Sequence, residues 1–390
     1  MQPWIQSELD AIRAAGLERR LRSLPQPGGR IEIDGRPVLS FASNDYLNLA
    51  RNPDVARASA DAAAGTAAGA GASRLVSGTL GIHERLEAEL ASLKGYESAL
   101  VFGSGYLANL GAIQALAGRR DWIVADRLAH ASLLDGAALS GARLRRFHHN
   151  DAGHLDNLLK SAPASGRRLV VTESVFSMDG DLAPLADLAA VAERHGALLF
   201  VDEAHATGVF GPAGAGLVRA AGLESAVHVS MGTLSKALGS YGGFVACSAP
   251  LRDLLINRSR SFIFSTALPP PAAAAALAAL RLIRENPDWG NRLLSLATRF
   301  RDRLREGGLD TGRSESPIIP VMLGDNEIAV RLSARLMEKD LLVPAIRPPA
   351  VQPGAARLRL SVTLAHRESD LDRAADGILE AARQERALTG

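Results

Sequence analysis

The 390-residue chain carries a single cysteine, Cys247. No disulfide can close within it and cysteine-rich metal sites are excluded, which points to a reducing, cytoplasmic setting. An excess of one charge is missing too: 44 Lys and Arg stand against 42 Asp and Glu, a net charge of +2. The basic residues are scattered rather than striped, so neither nucleic acid nor an acidic membrane surface is an expected partner. The longest apolar run, ALPPPAAAAALAAL from Ala267, is too short to span a bilayer and holds three prolines. MQPWIQSELDAIR lacks a basic region ahead of an apolar core, so no signal peptide is expected. There is no GxxxxGKS/T phosphate loop, and GPAGAG from Gly211 is poorly placed for a dinucleotide. No HExxH or comparable pair occurs, so no metal is expected.

What remains is ordinary for a soluble globular protein, with 47% hydrophobic and 22% charged residues. An amphipathic stretch, Ile5 to Leu24, leads through PQPGGR into RIEIDGRPVLSF, whose alternation predicts a hairpin. Helices are expected over Asp54–Ala64 and Gly81–Leu93. Between them, GTAAGAGASRLVSGT reads as a flexible linker or as a loop whose backbone passes close to something bulky.

The middle third is rhythmic. SALVFG, DWIVAD, RLVVTES, ALLFVDEAH, AVHVSMG and GGFVACS mostly alternate with helical stretches. These runs are nearly continuous in apolar residues, as strands covered on both faces should be. They predict an α/β fold with a mostly parallel, doubly wound sheet, and GGFVACS as one antiparallel strand. Beyond the turn signal ENPDWG, a smaller α+β domain is expected. The expected division is 1–50, an N-terminal helix and hairpin; 51–285, a large α/β domain; and 286–390, the small C-terminal domain.

In open α/β sheets, functional groups collect past the carboxyl ends of strands. Those positions hold Gly105 and Tyr106 after SALVFG, His130 after DWIVAD, and Ser177 after VVTES. Asp202 and His205 follow LLFV, and Thr233 and Lys236 follow VHVSMG. Lys236 is the only charged residue in HVSMGTLSKALGSYGG. A lysine in so small and uncharged a setting, beside a strand-end aspartate, hydroxyls and a helix start, suits pyridoxal phosphate (PLP). The amine forms a Schiff base, Gly105, Tyr106 and Thr233 take the phosphate, and Asp202 keeps the pyridine nitrogen protonated. Taken singly, Asp202 reads equally as a helix cap, His130 and His205 as structural histidines, and Lys236 as a snorkelling surface residue.

TLSKALGSYGG, VDEAHATGVFG, SVFSMDGDLAPL, SNDYLNL, SRLVSGT and LAHASLLDGA together resemble the α-oxoamine synthases, PLP-dependent transferases of fold type I. The likeness runs in order over nearly the whole chain. Within that family, RRFHHND and AIRPP are most similar to members that condense L-alanine with a pimeloyl thioester, on acyl carrier protein or coenzyme A, in biotin biosynthesis. The resemblance implies that Lys236 carries the cofactor, His130 stacks on its ring, and Asp202 pairs with its nitrogen. His205 and Ser177 would bond its phenolic oxygen. Arg359 would hold the alanine carboxylate, with Asn44 assisting from the other subunit of a homodimer, and Arg19 and Arg347 would lie among the substrate residues. Ala350 departs from the pattern, standing in AIRPPAV where the family has threonine. Loss of one hydroxyl contact, worth roughly 0.5–1.5 kcal/mol, bears on acyl-chain preference rather than on activity itself. The alternatives are a relative that condenses glycine or serine with another acyl-CoA, and a non-catalytic PLP-binding module.

Overall fold

Seven strands lie in one sheet, in the order Ser98–Phe102, Gly243–Cys247, Val229–Thr233, Leu198–Asp202, Arg168–Glu173, Trp122–Asp126 and Arg143–Phe147. They belong to a computed structural model that describes residues 2–19, 21, 23–163 and 165–389. Every neighbouring pair is parallel except the two made by Gly243–Cys247, the one antiparallel strand expected. Alternate residues of each strand feed opposite cores. Leu169, Val171, Phe200 and Met231 pack with helices Gly105–Leu116 and Ala131–Ser140. Val170, Leu199 and Val201 pack on the other face with Ala152–Lys160 and Leu185–Arg194. Burial on both faces is why these strands are continuously apolar.

The strand Arg143–Phe147 was not expected. It is the sheet edge, and its RLRRF sequence exposes three arginines, so it lacks the apolar run that marks its neighbours. Charged edge residues also discourage pairing with other chains.

The chain divides into two units. Residues 45–177 and 182–292 form the sheet-bearing unit; residues 1–44, 178–181 and 293–390 form the other. The N-terminal segment is thus not separate, because strand Arg36–Ser40 pairs with Arg30–Ile33 on one side and with Leu341–Leu342 on the other. Phe41, just beyond, stacks between Phe300 and His366 at centroid distances of 5.4 and 4.7 Å. A second small sheet there joins Ile318–Gly324, Ala356–Ser361 and Ala345–Ile346. The amphipathic stretch expected to reach Leu24 is helical only over Pro3–Ala14, and Gly16 turns the chain at φ +64°. Arg20 and Arg22 lie outside the described residues. No helix among the described residues is long and apolar enough to cross a membrane.

Candidate active site

Five strand ends of the large unit carry most of the expected residues. Asp202 closes strand Leu198–Asp202, and the next turn brings back His205. Ala204 N donates to Asp202 Oδ1 at 2.9 Å, and Asn109 Nδ2 donates to Asp202 Oδ2 at 2.7 Å. Asp202 itself is 5% exposed.

Lys236 Nζ lies 2.9 Å from His205 Nε2. An ammonium has no lone pair to offer, so Nε2 accepts and the ring proton sits on Nδ1. Nδ1 in turn is 2.7 Å from the hydroxyl of Tyr46, which is fully buried. The small residues around the lysine have a packing reason. A Cβ on Gly239, at φ +58°, would fall 2.3 Å from Ala50 N, and one on Gly208, at φ +85°, would fall 2.5 Å from Ala237 Cβ. The turn is pressed against backbone, and larger residues would push Lys236 away from His205.

Gly105 starts helix Gly105–Leu116, capped by Ser104 Oγ, which accepts from Leu107 N at 3.2 Å. The amides of its first turn have no partners within the helix. A Cβ on Gly105 would lie 3.0 Å from Met231 Cε and 3.4 Å from Thr233 Oγ1. Thr233 is buried; its hydroxyl donates to Gly242 O and accepts from Ser235 N. Tyr106 is exposed and donates its hydroxyl to Asp135. Ser177 is buried beyond strand Arg168–Glu173.

His130 caps helix Ala131–Ser140, its Nδ1 accepting from Ser132 N at 3.2 Å. His130 is an exposed residue whose Nδ1 is bonded to Ser132. Desolvation there lowers the imidazole pKa; Asp202 opposes the shift and Lys236 reinforces it. Glu173, also buried, accepts from His130 N at 2.7 Å. Behind the turn, Glu203 is fully buried, accepting from Lys94 Nζ, Ser230 Oγ and Val218 N.

The remaining expected residues sit in the other unit. Arg359 is 6% exposed, and its Nη1 donates to Asn44 Oδ1 at 3.1 Å and Ser361 Oγ at 2.8 Å. Within the chain, Ser361 N bonds Phe41 O and carries the segment of Asn44 beside Arg359. Arg19 donates to Pro348 O at 3.2 Å, and Arg347 to Gly16 O. Ala350 is exposed, its amide bonded to Arg347 O. Tyr46, Asn109, Ser132 and Lys94 were not singled out from sequence, although Tyr46 and Ser132 lay within the quoted motifs SNDYLNL and LAHASLLDGA, and Glu173 within the quoted run VVTES.

Residues 36–378 match the family profile for class I and II aminotransferases. The chain is 50% identical over 370 residues to the 8-amino-7-oxononanoate synthase of Anaeromyxobacter dehalogenans, covering 95% of this chain and 93% of that protein. Among solved structures, it resembles a serine palmitoyltransferase variant from S. paucimobilis with a bound PLP–myriocin aldimine. That match has a TM-score of 0.93 and 33% identity, covering 99% of this chain and 98% of the other. An 8-amino-7-oxononanoate synthase from Francisella tularensis matches with a TM-score of 0.78 and 29% identity, covering 90% and 99%.

Proposed function

Because the chain belongs to the class I and II aminotransferase family, we propose that it is an acyltransferase of biotin biosynthesis. It condenses L-alanine with a pimeloyl thioester, giving 8-amino-7-oxononanoate, CO2 and the free thiol. The observation that carries the reading is the contact of Lys236 Nζ with His205 Nε2, one turn beyond the doubly bonded carboxylate of Asp202.

The residues present suit pyridoxal phosphate. The donor set offers an amine, a buried carboxylate, an imidazole open on one side and a helix start without intrahelical acceptors. Lys236 would hold its aldehyde carbon, Asp202 its pyridine nitrogen and His130 its ring face. His205 and Ser177 would bond its phenolic oxygen, and Gly105, Tyr106 and Thr233 would take its phosphate. At Gly105 an added Cβ would crowd Met231 Cε at 3.0 Å, so glycine keeps the helix start closest to Met231 and Thr233.

Bound there, pyridoxal phosphate supplies an electron sink for negative charge developing at the amino acid's Cα. Lys236 Nζ, when free, takes the Cα proton, a general-base role typically worth 10²–10⁴-fold in rate. His205 holds that nitrogen in place through Nε2, and Tyr46 holds His205 through Nδ1. Asp202 keeps its negative charge beside a protonated ring nitrogen. Arg359 orients the alanine carboxylate through its planar fork, with Asn44 steadying the guanidinium. Arg19 and Arg347 serve the acyl substrate.

A homodimer belongs to the same reading. Val76 and Phe264 are 80% and 71% exposed, and Leu75 and Tyr241 are also open, so a second copy would cover apolar side chains that water now faces.

The test is a condensation assay with pimeloyl thioester against alanine, glycine and serine. Thiol release and the amino ketone should appear with alanine. Turnover with glycine or serine but not alanine would move the protein to another member of the group.

A further inference from the structure

Asp202 and His130 are joined by a hydrogen-bonded path through two residues that the reading above leaves without a task. Asn109 and Ser132 are each 1% exposed. Asn109 Nδ2 donates to Asp202 Oδ2 at 2.7 Å and to Ser132 Oγ at 2.8 Å. The opposite amide orientation would set a carbonyl oxygen against a carboxylate, so the chemistry fixes which end faces them. Asn109 Oδ1 has no partner among the described residues, which leaves the two Nδ2 protons as the reason for a buried asparagine here.

Ser132 Oγ, having accepted from Asn109, has its own proton to give, and His130 Nδ1 lies 2.7 Å away. The amide of Ser132 points at the same nitrogen from 3.2 Å. A ring nitrogen that receives two donors carries no proton, so the imidazole proton is on Nε2. Every bond in the path therefore runs outward from Asn109.

We propose that Asn109 and Ser132 are positioning residues forming a one-way donor relay, which holds His130 as the neutral Nε2–H tautomer and Asp202 as an anion. The proposal rests on the roles given above to Asp202 and His130. A protonated pyridine needs negative charge at its nitrogen edge and an uncharged partner over its face. The relay sets both conditions from a single amide. Protonating His130 at Nδ1 would break its bonds from Ser132 Oγ and N together, so charge state and helix cap are linked. The charged groups around this imidazole are Asp202, Lys236 and Asp135, with the buried Glu173 on its backbone amide.

The relay can be read with or without cofactor. The full chain, labelled with ¹⁵N-histidine and free of PLP, should show His130 among its nine histidines as a pure Nε2–H tautomer, the form in which His83 and His366 are also bonded. The His130→Gln variant identifies that signal. In Ser132→Ala the signal should become a tautomer mixture and titrate at higher pH, while Ser132→Thr keeps the wild-type pattern. Asn109→Ala should weaken PLP binding about tenfold or more, as loss of a bond to a charged group does, and should move the pH dependence of the bound cofactor's absorbance. A wild-type His130 protonated at Nδ1, or a Ser132→Ala spectrum unchanged from wild type, overturns the relay. Wild-type protein that binds no PLP would defeat the functional reading instead, while the tautomer measurement would still decide the relay.

Discussion

Glu173 and Asp202 stand directly opposite one another on adjacent parallel strands, and both side chains are buried. Their partners differ. Asp202 receives two donors, whereas Glu173 accepts from the backbone amide of His130. Burial first, and then the charge of Asp202, push the Glu173 pKa well above the usual carboxylate range. Glu173 is thus held neutral well past the pH at which a free glutamate ionises, and serves as an acceptor for His130.

Glu173→Gln keeps that acceptor and removes the ionisation. A group whose pKa is raised on folding costs stability as pH climbs above its unfolded value. The variant should therefore gain thermal stability over wild type at pH 8, and the gain should shrink toward pH 4. PLP affinity should stay within about twofold, since a bond of the same kind is kept. Thermal unfolding across this range, with a PLP titration, checks both. A stability gain that grows toward acid would contradict the assignment.

Lys94 and Glu203 form an ion pair with side chains 1% and 0% exposed. Lys94→Met should cost roughly 3–5 kcal/mol, because Glu203 is left charged and without its cation. Lys94→Met combined with Glu203→Leu should recover part of that loss. Urea unfolding of the three proteins measures it. A single variant as stable as wild type would show that the pair does not anchor the Asp202–His205 turn.

His366 is buried beside Phe41, accepting from Thr363 N and donating to Gly29 O. Burial lowers its pKa to about 4. Above pH 6.5 both folded and unfolded chains hold it neutral. Between 6.5 and 4 only the unfolded chain binds the proton, so stability should fall on acidification by up to roughly 3 kcal/mol. His366→Gln should flatten this part of the stability–pH curve, as read by denaturant midpoints at each pH. An unchanged slope would contradict it.

Arg359→Ala should raise the KM for alanine far more than the Kd for PLP. Arg359→Lys should rescue little, because an ammonium lacks the planar two-point fork. Equal losses for both ligands would count against its place on the substrate carboxylate.

Much of this architecture was legible because burial on both faces writes a continuous apolar run, as in LLFV before Asp202. The edge strand Arg143–Phe147 escaped because it has one neighbour and exposed arginines. Lys236, Asp202 and His130 stood out by their places after strands. Their supports did not. Asn109 is 93 residues from Asp202 and Tyr46 is 159 from His205, so no local spacing marks either contact. Each is set by tertiary packing alone. Asn44 lay in a legible motif, but its contact with Arg359, 315 residues away, is likewise long-range.

The most direct measurement is borohydride treatment of the PLP-saturated protein, followed by mass mapping. The Lys236 peptide should gain one pyridoxyl phosphate group, and Lys236→Ala should gain none and show no turnover. A modification at another lysine, or an unmodified and colourless wild-type protein, would contradict the account.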